Sequence, residues 1–393
     1  CVSPINIEHW LQDMSMHNGG IIVQTVTERE SEGKPVEFLR YLAGRSLMIT
    51  LTMLIITAVL YGFIMLTPAV TRAELYIPSR LPSNVTPERY QRMIEIRIEM
   101  YHLNDPYPIQ YALWLKSLVQ GQWGYSPTLG EDVLPSLLRR TPATLELTLY
   151  SLLFFIPLGL FSGGWAAWQQ GRKADRTFRL AAFTATSLPA FISALVLMAV
   201  FYVVLRWFPP ERLSLSLSQV IYDDSWNSYT GLLTLDGLLN RRLDITLDAL
   251  RHLVLPVITL SMAHWATLGR ITRALMIEEL QKDYIVAAKA RGVPNRGLVW
   301  GHAFRNTTAP ALASSALSAA TLFTGVMVVE IVFGFKGVSE LLLSVGGTPD
   351  AAPVLGFGVY SVLVVSLTMF GLDVAQGLLD PRIREQKEIH ASA

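Results

Sequence analysis

Two acids stand inside long apolar runs of this sequence, Glu330 in VVEIVF and Asp373 in MFGLDVA. A charge at mid-depth in hydrocarbon costs at least about 2.5–3.5 kcal/mol, so such residues face protein or water. Each is therefore a candidate for structural pairing or for lining a translocation path, and both fall near the ends of their runs. The other chemistry-bearing types are scattered. His252, His264 and His302 are too far apart to suggest a metal site, and no H-E-x-x-H pattern exists. Gly33-Lys34 is followed by Pro35, without the upstream glycine or the Ser/Thr that phosphate and magnesium need. No G-x-S-x-G nucleophile turn occurs. The single cysteine, Cys1, excludes an internal disulfide framework and a thiolate metal cluster. The expectation is a chain with no catalytic residue, no metal and no cofactor, which hydrolyses neither ATP nor any other bond.

What remains is the loop Ile277–Asn306, IEELQKDYIVAAKARGVPNRGLVWGHAFRN, between two long apolar runs. It has helical spacing on both sides of Gly292 and Pro294. Glycine permits a positive φ, and Pro294 disfavours helix at Val293. The stretch therefore reads as helix, sharp turn, helix. The small pair Ala287 and Ala288 would let another surface approach the backbone closely. Such an elbow at a membrane face is a docking device.

These residues also carry a family resemblance. Ala287, Ala288 and Gly292 form an A-A-x-x-x-G core similar to the cytoplasmic EAA loop of permease subunits of bacterial and archaeal ABC importers. His302-Ala303-Phe304-Arg305-Asn306 resembles the H-A-x-R-N variant of the dipeptide/oligopeptide/nickel branch. The motif's leading acidic position is Val286 here. Leu103, Pro106, Gln110, Tyr111 and Trp114, then Gly121, Gly124 and Ser126, match two patterns that the branch carries after its first span. Gln122 stands where the second pattern has aspartate. Ser187, Pro189 and Phe191, the run HLVLPVITL and the ending LLDPRIR resemble the same branch. The resemblance runs from about Arg40 to Arg384.

The elements that must position the loop are membrane helices. Apolar residues make up 51% and charged residues 16% of the 393 positions, against about 25% charged in ordinary globular chains. Net charge is +1, and no basic cluster with interleaved aromatics points to nucleic acid. The expected fold is an all-α membrane protein with six transmembrane helices. Residues 1–37 form a polar extension and 38–67 the first transmembrane helix, with its span from Ser46 to about Thr67. Residues 68–144 form an external subdomain between spans one and two, whose aromatics sit at headgroup level. The permease domain is expected at 145–384 and a tail at 385–393. Its spans run about 145–168, 180–205, 253–271, 308–333 and 353–379, with an uninterpreted insertion at 206–250. Opening on Cys1 rather than Met, the chain is expected to be a fragment or a processed product, and no cleavable signal peptide is visible.

Basic residues in short loops orient such a bundle. The 169–179 loop carries four, the stretch Arg273–Arg305 six, and the tail Arg382, Arg384 and Lys387, whereas the 334–352 loop has only Lys336. Both termini and the elbow are then expected in the cytoplasm and the 68–144 loop outside.

The resemblance implies a permease subunit of a binding-protein-dependent ABC importer for peptides, nickel or a related small solute. It sits in the bacterial or archaeal plasma membrane. It also implies its partners: a second homologous permease, often non-identical, two ABC ATPase subunits and an extracytoplasmic solute-binding protein. The residues implied for ATPase coupling are Ala287, Ala288, Gly292, Pro294, His302, Arg305 and Asn306. Two rivals remain. One is an ion-gradient-driven secondary transporter, expected to show internal repeats with paired broken helices. The other is a transport-inactive membrane scaffold of the same fold.

Overall fold

The computed structural model describes residues 43–44, 46–77, 86–223, 226–314, 316–348 and 350–379, with backbone only at 316–320 and 371–379. The expected 1–37 extension and the tail from Asp380 lie outside them. The chain divides into two units, 1–56 and 57–393. In the first, the opening turns of helix α1 (Ser46–Met65) carry Thr50 and Thr52. Their hydroxyls donate to the Ser46 and Met48 carbonyls, which satisfies them without breaking an apolar helix.

In the second unit, three helices follow: α2 (Ala69–Glu74), α3 (Pro87–Met100) and α4 (Tyr107–Val119). Thr86 caps α3 by accepting from the Arg89 N–H, and Pro87 fits the first helical position, where no N–H is needed. Ala73, Ile77 and Ile94 give this segment its own small core. A two-residue ladder, β1 (Tyr125–Ser126) against β2 (Glu131–Asp132), leads into α5 (Val133–Trp168).

At 36 residues α5 is about 54 Å long at 1.5 Å per residue, more than the roughly 30 Å of hydrocarbon. The boundary expected at residue 144 thus falls inside a continuous helix. Pro142 and Pro157 lie within it.

The span expected at 180–205 is not one rod. Helices α6 (Lys173–Ser187) and α7 (Ala190–Leu197), the latter prolonged by a π-helical turn to Val204, meet at 105°. Pro189 forces the preceding Leu188 into extended backbone (φ −94°, ψ 124°), which ends α6.

The insertion at 206–250 folds around Leu213, Leu233, Ile245 and Ala249 and contains α8 (Leu215–Ser218) and α9 (Leu233–Leu239). It runs directly into α10 (Leu243–Glu279), a helix of 37 residues. The remaining elements are α11 (Asp283–Ala290), α12 (Phe304–Ser314), α13 (Ala316–Phe333), α14 (Ser339–Val345) and α15 (Ala351–Leu379).

Among the described residues four helices are long and apolar enough to cross a membrane, or five with the bent pair. Six were expected. The remaining one was expected at 308–333, a stretch that holds α12 and α13 on either side of residue 315, which lies outside the described residues.

The core is the pairing of α5 with α10. Leu147, Phe155 and Leu160 pack with Leu253, Leu260 and Leu268 in one buried cluster. At the crossing a Cβ on Gly163 would overlap the Gly269 carbonyl, and one on Gly269 would lie 2.8 Å from the Phe178 ring. Small residues let backbones close in lipid, where apolar burial alone gives no driving force.

Candidate functional site

α10 ends at Glu279, a short turn reaches Lys282, and α11 occupies Asp283–Ala290. The end of α11 is closed by two backbone bonds, Val293 N–H to the Ala288 carbonyl and Gly292 N–H to the Lys289 carbonyl. That closure requires a left-handed residue between them, and Gly292 supplies it at φ +84°. A Cβ there would meet nothing within 4 Å, so the glycine is required by the backbone rather than by space. Pro294 then starts the return limb, which runs through a π-helical segment (Gly297–Ala303) into α12.

The alanine pair does not act as one surface. Successive helical residues are about 100° apart, so Ala288 turns inward and Ala287 outward. Ala288 and Ile285 are buried against Ala167, Met276, Val299 and Ala303. Val286 is 59% exposed, and Ala287, Lys289 and Ala290 share its open side. Hence only Ala287 of the two can meet a second surface.

On the return limb His302 and Arg305 are exposed, whereas Ala303 is fully buried and Asn306 ties the two limbs together. Its Nδ2 donates to the Tyr284 hydroxyl at 3.0 Å and to Glu279 Oε1 at 3.4 Å. Tyr284 donates in turn to Glu279 Oε1 at 2.7 Å, and Lys282 Nζ lies 2.6 Å from Glu279 Oε2. Burial first, then the bond to the Glu279 carboxylate, holds the Tyr284 phenol above its ordinary pKa and keeps it a donor.

The elbow is fixed to the bundle as well. Phe304 stacks on Phe161 of α5 with centroids 5.4 Å apart, over Gly164, where a Cβ would lie 3.2 Å from the Phe304 ring. Asp175 of α6, buried, receives Arg273 of α10 at 2.6 and 3.0 Å. It also accepts the Gly171 N–H at 3.0 Å. α11 is thus packed against α5 and α10, and α10 is in turn tied to α6.

Glu330 lies far from this end, on the last turn of α13. It is buried and receives Thr144 Oγ1 of α5, the Ser339 N–H at 3.1 Å and the Ser339 hydroxyl. A Cβ on Gly337 would overlap its carboxylate. The Asp373 side chain lies outside the described residues.

Three further acids went unnoticed in the sequence. Asp175 has been described. Glu146 of α5 accepts Arg212 Nη2 at 2.6 Å and the Thr234 N–H and hydroxyl at 2.9 and 2.8 Å. Its place in LELTL was the same signal that drew attention to Glu330. Asp350 accepts the Ser126 hydroxyl at 2.6 Å and the Thr128 N–H at 3.1 Å, so it holds the ladder to the start of α15.

The patterned residues after α1 are structural too. Gln110 bridges the Leu103 and Asp105 carbonyls and accepts from Arg72. Tyr111 and Trp114 pack around Tyr61, and Gly124 takes φ +96° beside Ala352. Among the described residues no group of three His, Cys, Asp or Glu side chains could hold a metal ion.

Residues 156–385 match the family model described as binding-protein-dependent transport system inner membrane component. Over 287 residues the chain is 36% identical to the di/tripeptide transport system permease protein of Pseudomonas aeruginosa, covering 72% of this chain and 83% of the relative. It is 30% identical over 288 residues to the dipeptide transport system permease protein of Alkalihalophilus pseudofirmus, covering 73% and 84%. Against the oligopeptide transport system permease protein of Salmonella typhimurium it is 28% identical over 285 residues, covering 72% and 83%.

Proposed function

The chain belongs to the family of binding-protein-dependent transport system inner membrane components, and from that premise we propose that it is a permease subunit of an ATP-driven peptide importer. The observation that carries the reading is the division of α11 into a packed side (Ile285, Ala288) and an open side (Val286, Ala287) on a hinge closed by Gly292. A helix so braced on one side and free on the other suits contact with a moving partner. That partner is an ABC ATPase subunit in the cytoplasm, one of two. A second homologous permease completes the pathway, and an external binding protein delivers the solute. The relatives, permeases of di/tripeptide, dipeptide and oligopeptide transport systems, favour peptides over nickel.

Work done at α11 can shift the access state only if its contacts differ between the two states. The Asn306–Tyr284–Glu279 bonds and the Asp175–Arg273 pair are proposed to transmit that difference to α10, α5 and α6. Pro294 preorganises the return limb, and exposed His302 and Arg305 flank the docking face. For Glu330 the filled hydrogen-bond shell favours bracing of α13 to α5 over lining of the path. One bent helix pair is found among the described residues, not the two in corresponding positions that a secondary transporter of inverted repeats would carry.

The test is site-directed cross-linking in the assembled complex, with Cys1 replaced. A287C is expected to cross-link to the ATPase subunit and A288C to remain unreactive. Equal reaction at the two positions, or labelling of A287C by an impermeant reagent from outside the cell, would sink the coupling reading. Peptide uptake dependent on this subunit separates a transporter from an inactive scaffold.

A further inference from the structure

At the end of the α7 π turn, Tyr202, Val203, Arg206 and Pro209 join Arg251 of α10 around a cleft of about 370 Å³. Neither arginine is in an ion pair among the described residues. Arg251 Nε donates to the Trp207 carbonyl at 2.7 Å and its Nη2 to the Arg206 carbonyl at 3.5 Å. This sets the fork at the cleft without neutralising it. The Arg206 side chain makes no hydrogen bond among the described residues. Its backbone sits at φ +56°, the position after a helix end where glycine is usual. A long cation is thus kept where the backbone alone would favour no side chain, a pattern that clusters at functional positions.

The depth of the cleft follows from α10. Arg251 and Arg273 are separated along it by about 33 Å at 1.5 Å per residue, close to the roughly 30 Å of hydrocarbon. Arg273 is at the elbow end, paired with Asp175. Residues 252–269 of α10 carry no Asp, Glu, Lys or Arg, and neither do residues 180–205 leading to Arg206. Arg206 and Arg251 are therefore the first charges on the side opposite the elbow. Tyr202 and Trp207 beside them are 40% and 54% exposed, as aromatic rings at headgroup level are. Val203 and Val204, more exposed still, continue the apolar surface inward from the charges.

We propose that this cleft binds the phosphodiester of an anionic phospholipid in the leaflet opposite the elbow, with an acyl chain along Val203. Guanidinium forks match phosphate oxygens by paired N–H donation, and a phosphodiester anchored by its own chains arrives at the depth where these forks stand. The inference rests on the membrane-spanning reading; its test takes the assembled complex of the proposed function but does not read transport.

The experiment uses the complete complex, delipidated in detergent and returned to mixed micelles containing phosphatidylglycerol and phosphatidylcholine in equal parts. Retained lipid is counted by native mass spectrometry. The wild type is expected to retain phosphatidylglycerol several-fold over phosphatidylcholine. Arg206→Gln with Arg251→Gln should bring that ratio close to one, while Arg92→Gln, an exposed arginine of α3, should leave it unchanged. Arg206→Lys with Arg251→Lys, which keeps the charge and loses the fork, should assemble and lose part of the preference.

A preference that survives both double variants means that the arginines merely reach water, and overturns the proposal. Displacement of phosphatidylglycerol by inorganic phosphate would make this a soluble-anion site and overturns the lipid source. Loss of the second permease subunit from the double-glutamine complex would place the cleft at a subunit interface, which also overturns it. Because lipid retention is read without transport, a failed uptake assay leaves this result standing on its own.

Discussion

Asn306 and Tyr284, on opposite limbs of the elbow, are joined by a 3.0 Å bond from the Asn306 amide to the Tyr284 hydroxyl. The hydroxyl in turn donates a hydrogen bond to the carboxylate of Glu279, the last residue of α10. The network ties both limbs of the elbow, α11 and α12, to the end of α10. A neutral hydrogen bond contributes only about 0.5–1.5 kcal/mol net, so its loss should loosen the elbow without unfolding the bundle.

Asn306→Ala and Tyr284→Phe should therefore each lower peptide-stimulated ATPase activity several-fold while leaving complex assembly and basal ATPase activity intact. Combined, they should cost little more than either alone, because both break one network. Stimulated ATPase measured on the two singles and the double checks this. Fully multiplicative losses would mean that the two residues act separately.

Gly292 tests backbone conformation apart from space. Its φ of +84° excludes β-branched residues, yet no atom lies within 4 Å of a Cβ placed there. Gly292→Val should cost about 1–3 kcal/mol of local strain and abolish stimulated ATPase activity with membrane insertion intact. Gly292→Asn, which tolerates left-handed backbone, should retain much of it. Equal activity in the two variants would show that the turn is not held in this conformation.

The Asp175–Arg273 pair is buried on the acid's side, with side-chain exposures of 2% and 20%. Removing one partner of such a pair costs about 3–5 kcal/mol, whereas replacing both by apolar residues of similar size is often neutral. Asp175→Ala should thus lower the thermal midpoint of the purified complex clearly, and Asp175→Leu with Arg273→Met should restore most of it. A double variant that recovers stability but not stimulated ATPase activity would identify the pair as part of the coupling path.

The elbow could be read in the sequence because its information is local. Gly292, Pro294 and the apolar spacing around them lie within one stretch, and helix, turn and helix all occur where that spacing puts them. The opposite facing of Ala287 and Ala288 was hidden, since it depends on Met276 and Val299 closing over one side only. The break in the 180–205 span was written in Ser187-Leu188-Pro189, but hydropathy averages over a single extended residue. The buried acids were the least legible. Asp350 finds Ser126 across 224 positions, and no periodic pattern encodes a contact at that separation. Glu146 was legible by the rule that exposed Glu330, an acid in an apolar run, and shows that the rule marks braces as readily as pathways.

The Ser126–Asp350 bond gives the last prediction, at the end of the molecule away from the elbow. Both groups are buried, and the Ser126 oxygen also accepts the Leu129 N–H at 3.0 Å. Ser126→Ala therefore removes a donor from a buried carboxylate and an acceptor from a backbone N–H at once. An unsatisfied buried polar group costs about 1–3 kcal/mol, with more expected where a charge is involved. The 125–132 ladder should come away from α15, and protease cleavage within Pro127–Gly130 should quicken by tenfold or more. Ser126→Thr keeps the hydroxyl but adds a methyl at a fully buried position and should fall between the two. The elbow lies at the other end of α5, so basal ATPase activity should not change. If Ser126→Ala cleaves at the wild-type rate, the ladder is held by packing of Trp123 and Leu129 on Val133 and Leu137, and the carboxylate is incidental to it.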